Sequence, residues 1–181
     1  MTEPAPTTYD SRAIFFHWLA AALILLLWGM GETIDWFPRG DPRMFARSAH
    51  IALGVVLALV LAARIHWRVT GARRLPPAES GARGRAAVGM HHLLYLLMTV
   101  IVVLGIAAVW IRGDNLFNLY KVPSIAPGNK ALREAVVDLH ETVANALLVL
   151  ALLHAAMALW HHAVVKDGVL ARMWPALKKN P

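Results

Sequence analysis

Cysteine is missing from all 181 residues of the sequence. Its absence excludes disulfides, thiolate ligands, iron–sulfur clusters and covalent haem attachment through a C-x-x-C-H motif. Any haem would have to be held non-covalently, by histidine or methionine. Charge is also scarce: 16% of residues are charged, against about a quarter in an ordinary soluble domain. Acidic residues are fewest, 11 against 18 basic, for a net charge of +7. Met1–Asp10 lacks the basic stretch before a short apolar core that marks a cleaved signal peptide, and none is expected. No internal repeat and no soluble domain is evident, so residues 1–181 read as one domain.

What the sequence does have is apolar length, with 58% hydrophobic residues. Four runs, at about 13–31, 48–67, 88–111 and 139–165, each approach the roughly 20 residues that a helix needs to cross hydrocarbon. Strands of a membrane barrel would be shorter and strictly alternating. Trp28, Trp36, Trp67, Trp110 and Trp160 lie near the span ends, where interfacial aromatic belts form. The expected fold is all-α: an integral membrane four-helix bundle. The side carrying both termini and the loop after span two holds eleven Lys and Arg, including Arg74, Lys178 and Lys179; the other side holds seven. That asymmetry predicts cytoplasmic termini. Four carboxylates on the inner side and seven on the outer leave +7 inside and zero outside. The positive charge therefore reports topology and gives no evidence for nucleic acid. The loop 70–87 reads as irregular, and 112–138 as a long outer connection whose end, 129–138, forms a short helix into span four.

Histidines inside such spans are costly and usually functional. His140 and His154 stand fourteen residues apart, roughly 40° short of four full turns and about 21 Å along the helix axis. Depth places His50 with His140 near the outer side and His17 with His154 nearer the inner side. Side chains facing each other across a bundle core are how such cofactor sites are built. A zinc or iron ion site wants three or four ligands at one depth. Each level here offers two well-placed histidines and little carboxylate, which suits the two axial positions of a haem. Ala49, Gly54, Ala144, Ala151 and Ala155 leave room beside them, although small residues also serve plain helix contacts. Arg64 follows His50 by the same fourteen residues. It reads either as a partner for a haem propionate or as an arginine snorkelling to the interface. His66, His91, His92 and His162 read as interfacial.

With these residues in place, the chain resembles the bacterial cytochrome b561 family, di-haem membrane cytochromes that include superoxide oxidase. The likeness runs through F-H-W at Phe16–Trp18, F-P-R at Phe37–Arg39, His50 with Arg64, and R-G at Arg112–Gly113. Its most specific block is H-E-T-x-A-N at His140–Asn145, followed by L-H-A-A-x-A-L-x-H-H at Leu153–His162 and K-D at Lys166–Asp167. The resemblance implies two b haems ligated by His17, His50, His140 and His154. It also implies electron transfer across a bacterial inner membrane with ubiquinone as one partner.

The leading expectation is a superoxide:ubiquinone oxidoreductase, with superoxide oxidised at the periplasmic side. Arg39, Arg43, Arg47, Arg112 and Lys121, with Lys130 and Arg133, would steer the anion unless they pair with nearby carboxylates. His91 and His161, at the inner side, are the candidates for the quinone site, as groups able to protonate near neutral pH. The runner-up is a quinol-linked cytochrome that exchanges electrons with a periplasmic redox protein. A metal-ion transporter is the alternative from another class, and a purely structural membrane subunit leaves the paired depths unexplained.

Overall fold

The computed structural model describes residues 7–73 and 75–177. Arg74, Lys178 and Lys179, counted above toward orientation, lie outside the described residues, as does 1–6 of the N-terminal segment. Four long helices dominate: α1 (Ser11–Thr33), α2 (Asp41–Thr70), α3 (Gly81–Arg112) and α4 (Lys130–Trp160). All four are long and apolar enough to span a membrane. A hairpin of two short antiparallel strands, β1 (Asn115–Leu116) and β2 (Tyr120–Lys121), connects α3 to α4.

Local chemistry sets the helix ends. The Asp10 carboxylate accepts from the Ala13 N–H at 2.9 Å and caps α1. Pro42 stands in the first turn of α2, where its missing N–H costs nothing. Gly113 takes the left-handed conformation (φ 69) that closes α3. The Asn129 side chain accepts from the Leu132 N–H at 3.0 Å and caps α4. At its far end α4 widens into a π turn, His161–Val165, which Lys166 closes at φ 59.

Two boundaries differ from the sequence reading. Helix α4 begins at Lys130 without a break, so 129–138 is its first turns and no separate helix. Helix α3 begins at Gly81, which shortens the irregular connection to about half of 70–87. In both places polar residues end the apolar run while the helix continues.

Each helix packs on its neighbours in chain order and α4 returns to α1, giving an antiparallel bundle. Its interior is thin. Ala20, Leu23, Leu27, Leu57 and Val60 form one buried cluster, and Leu61, Met98 and Leu147 a second. Leu25, Leu26, Val55, Leu59, Val103, Ile106, Val149 and Leu152 point outward, more than half exposed. A soluble bundle would bury these side chains, whereas lipid accepts them. The end carrying the described termini and the α2–α3 connection is called the terminal end below; the opposite one is the hairpin end.

Candidate functional site: two stacked histidine pairs

Four histidines from three helices meet in two pairs inside the bundle. At the hairpin end, His50 of α2 faces His140 of α4, with ring centroids 6.3 Å apart and planes at 72°. At the terminal end, His17 of α1 faces His154 of α4 at 6.3 Å and 71°. The pairs chosen by depth are thus adjacent in space. Between the two levels lie Leu57, Leu61, Met98 and Leu147, each at most 5% exposed. This apolar layer keeps water out of the interval.

The hairpin-end pair is closely framed. The Nδ1 atoms of His50 and His140 are buried, with no hydrogen-bond partner among the described residues. Two glycines give the rings room. A Cβ on Gly31 would stand 3.7 Å from His50 Cε1, and one on Gly105 only 3.2 Å from His140 Cε1. Gly31 lies on α1 and Gly105 on α3, so the helices that supply no ligand here still shape the site. A glycine within an apolar span was the available signal, but its facing partner is fixed only by the fold.

At the terminal end, Arg64 Nη2 donates to His17 Nδ1 at 2.9 Å, and its guanidinium lies 5.1 Å from the centre of the Tyr95 ring. The Arg64 guanidinium thus lies between side chains of α1 and α3. His91 of α3 packs against His154 with centroids 5.1 Å apart. His161 has different partners: Nδ1 lies 2.6 Å from Asp167 Oδ2, and Nε2 lies 3.9 Å from Glu79 Oε1. Desolvation is the largest single influence on Asp167 and raises its pKa. The hydrogen bonds from His161 and the Val169 N–H outweigh it and hold the carboxyl below its ordinary range.

Tryptophan and asparagine side chains brace this framework. Trp28 Nε1 donates to Asn145 Oδ1 at 2.9 Å, joining α1 to α4 between the two histidine levels. That bond explains the asparagine of the H-E-T-x-A-N block, and it gives Trp28 a role beyond the interface. Trp67 Nε1 donates to Asp10 at 2.8 Å, and Trp18 Nε1 to the Met173 carbonyl at 3.0 Å.

The basic residues of the hairpin end divide into three groups. Arg43 is structural: it donates to the Asp35 and Phe37 carbonyls and pairs with Asp35 at 3.0 Å. Arg47 and Arg112 flank Asp114, at 3.8 and 3.6 Å. Asp114 is only 6% exposed; burial pushes its carboxyl up, against the pull of Arg112 and Arg47. Arg112, Lys121, Lys130 and Arg133 line an open cleft of about 570 Å³. Among the described residues, Arg39, Lys121 and Arg133 make no ion pair. Arg43, Arg47, Arg112 and Lys130 are thus paired with carboxylates, and two of them, Arg112 and Lys130, also line the cleft.

Sequence reasoning did not find Ser48. Almost completely buried, its hydroxyl donates to the Met44 carbonyl at 2.8 Å, lies 3.2 Å from the Asn115 carbonyl, and accepts from the Phe117 N–H at 3.0 Å. Phe117 and Asn118 hold positive φ angles of 53° and 57° at the hairpin tip. Phe117 stacks near Phe45 at 5.9 Å, and Asn118 reaches Asp41 at 3.4 Å. The hairpin is thereby fastened over the start of α2.

Comparison with known proteins follows this geometry. Residues 8–176 match the family described as prokaryotic cytochrome b561. The chain is 28% identical over 174 residues to "Cytochrome b561 homolog 1" of Escherichia coli, covering 94% of this chain and 98% of that protein. It is 31% identical over 172 residues to "Probable superoxide oxidase CybB" of Yersinia pestis, covering 92% and 96%. It is 30% identical over 171 residues to "Cytochrome b562" of Cereibacter sphaeroides, covering 91% and 94%.

Proposed function

This chain belongs to the prokaryotic cytochrome b561 family, multi-pass electron-transfer cytochromes of the bacterial inner membrane that carry haem b, and on that footing we propose that it is a two-haem superoxide:ubiquinone oxidoreductase. The observation that carries the two-haem reading is the equal spacing of the two histidine pairs. An imidazole nitrogen lies about 1.1 Å from its ring centroid and bonds a metal at about 2.0 Å, so two imidazoles that held one metal between them would stand with centroids about 6.2 Å apart. Both pairs stand at 6.3 Å. His91, at 5.1 Å from His154, is too close to be its axial partner. The glycine recess beside His50 and His140 also fits a bulky group between the helices.

In this reading His50 and His140 hold one haem b, and His17 and His154 the other. Arg64 is available to a propionate. Bound haem b supplies one-electron transfer. The protein's own residues do the rest. The termini face the cytoplasm, so the hairpin end faces the periplasm. There Arg39, Arg47, Arg112 and Lys121 raise the local concentration of a small anion such as superoxide. Leu57, Leu61, Met98 and Leu147 keep the path dry. His91 and His161 serve ubiquinone at the cytoplasmic end. Two superoxide anions each give up one electron and leave as dioxygen; one ubiquinone gains both electrons and two protons. The similarity to the probable superoxide oxidase of Yersinia pestis supports the choice of superoxide.

Stopped-flow mixing of superoxide with the purified protein tests this function. Rapid appearance of reduced b-type bands, followed by their loss on adding ubiquinone, is the expected result. No reduction by superoxide would reject it. The size of the cationic cleft favours a second reading, since about 570 Å³ far exceeds superoxide. An acidic face of a periplasmic redox protein would fill it, and quinol would then be the electron source. Reduction of the haems by quinol but not by superoxide would select that alternative.

A further inference from the structure

We propose that Asp167, His161 and Glu79 form the proton-delivery site for the quinone at the terminal end, an inference that rests on the quinone reduction proposed above. His161 lies seven residues beyond His154, about 10 Å further along the axis and roughly 20° off its face. A quinone that receives electrons at the His17–His154 level is therefore within reach of His161.

The three side chains come from separate places: Glu79 from the α2–α3 connection, His161 from the start of the π turn, and Asp167 from the chain beyond it. Their exposures form a gradient from water inward. Glu79 and Asp167 are 29% and 27% exposed, and His161 only 16%. Asp167 is itself fixed, because its Oδ1 accepts from the Val169 N–H at 3.1 Å while Oδ2 lies against the imidazole.

The two ring nitrogens have different tasks. Asp167 accepts the Nδ1 proton at 2.6 Å, which leaves the Nε2 lone pair as the site that gains and loses a proton. Nε2 faces Glu79 across 3.9 Å, beyond direct hydrogen bonding and wide enough for a bridging water or a quinone oxygen nearby. A proton entering by way of Glu79 makes an imidazolium, which the Asp167 carboxylate stabilises. The imidazolium passes its Nε2 proton to a quinone oxygen and returns to neutral with Nδ1–H still on Asp167. Two such deliveries, with the two electrons of two superoxide anions, convert one quinone to quinol. Glu79 recovers each proton from water. Only His161 touches the quinone; Asp167 positions it and Glu79 supplies it.

A purely structural clasp between the α2–α3 connection and the end of α4 would use the same contacts. Amide variants separate the two roles: Glu79→Gln keeps its shape but can no longer carry a proton, and Asp167→Asn keeps its shape but lacks the charge that stabilises an imidazolium at His161. The haem-loaded variants are assayed for haem content, for haem reduction by superoxide, and for reoxidation of pre-reduced haems by a short-chain ubiquinone analogue in light and heavy water. Normal haem content and superoxide reduction are expected, with reoxidation slowed at least about tenfold and a larger solvent isotope effect. Asp167→Glu is expected to restore the rate. Wild-type reoxidation and isotope effect in both amide variants would overturn the proton-delivery site, as would haem loss in both. If the wild-type haems themselves are not reoxidised by the analogue, the proposed function fails and the site falls with it.

Discussion

Arg64 reaches from α2 to α1 and bonds His17 Nδ1 at 2.9 Å. A guanidinium can only donate, so this bond makes Nδ1 the acceptor and leaves the ring proton on Nε2. A ring that bonds iron through Nε2 carries its proton on Nδ1 and offers Arg64 nothing. Iron at His17 is therefore expected to release Arg64 toward a propionate, with the Tyr95 ring supporting its cation.

Replacing Arg64 by leucine removes that positive charge from the inner level. The inner haem is expected to bind less firmly and to show a lower midpoint potential, with the outer haem little changed. Redox titration of the two b-type components checks this. Equal shifts in both would remove the assignment of Arg64 to the His17–His154 level.

His50→Ala should lose the hairpin-end haem and the reaction with superoxide, while retaining some of the inner haem. Pyridine haemochrome content, falling from two per chain toward one, is the measurement. Retention of both haems would reject His50 as a ligand.

Gly105 and Gly54 provide a matched pair. A methyl at Gly105 would crowd His140 at 3.2 Å, whereas one at Gly54 meets nothing within 4 Å. Gly105→Ala is expected to displace the His140 ring, lower outer-haem occupancy and cost about 1–3 kcal/mol. Gly54→Ala, which meets no protein atom, should not lower the melting temperature, since a helix gains from the change. Identical behaviour of the two variants would contradict the recess described at the outer pair.

Asp114 opposes the positive field of Arg47 and Arg112. Asp114→Asn is predicted to speed capture of superoxide roughly twofold to threefold at low salt, an advantage that fades as ionic strength rises. A slower reaction at every salt concentration would mean that the carboxylate serves mainly to hold the two arginines in place.

Asp10 gives a pH signature at the other end. Desolvation, the largest single influence, raises its pKa, but the Ala13 and Arg73 N–H groups and Trp67 Nε1 together outweigh it and hold the carboxyl below its ordinary 3.8. Because the folded value is depressed, its contribution is complete above the ordinary value and is lost as pH falls through the folded one. Asp10→Asn should therefore melt below wild type near neutral pH, and the difference should close as pH falls through the lowered folded-state value of the carboxyl.

Much of this architecture was readable because its causes are local. Four apolar stretches give four helices, and the rise and turn of a helix place His50 with His140 and His17 with His154 before any contact is known. The same period put Arg64 at the His17 level, although its bond to that ring needed α1 beside α2. Helix boundaries were less legible: hydropathy stops at Leu139, while the helix continues outward to Lys130 with polar residues that suit water. Ser48 and Gly105 were not found, since each acts through a residue distant in sequence. A buried serine and a span glycine look ordinary until Phe117 and His140 stand beside them.

The Ser48 hydroxyl has a bearing on how this protein can be recombined. That oxygen helps Phe45 and Asp41 to seat the hairpin, and His50 follows Ser48 two residues later on the same helix. Loop and ligand helix thus form one inheritable module. A chimera that imports the α3–α4 segment from a relative without a matching donor at position 48 would receive a loosely seated cover. Exchange of the segment together with the start of α2 is the graft that keeps its seat.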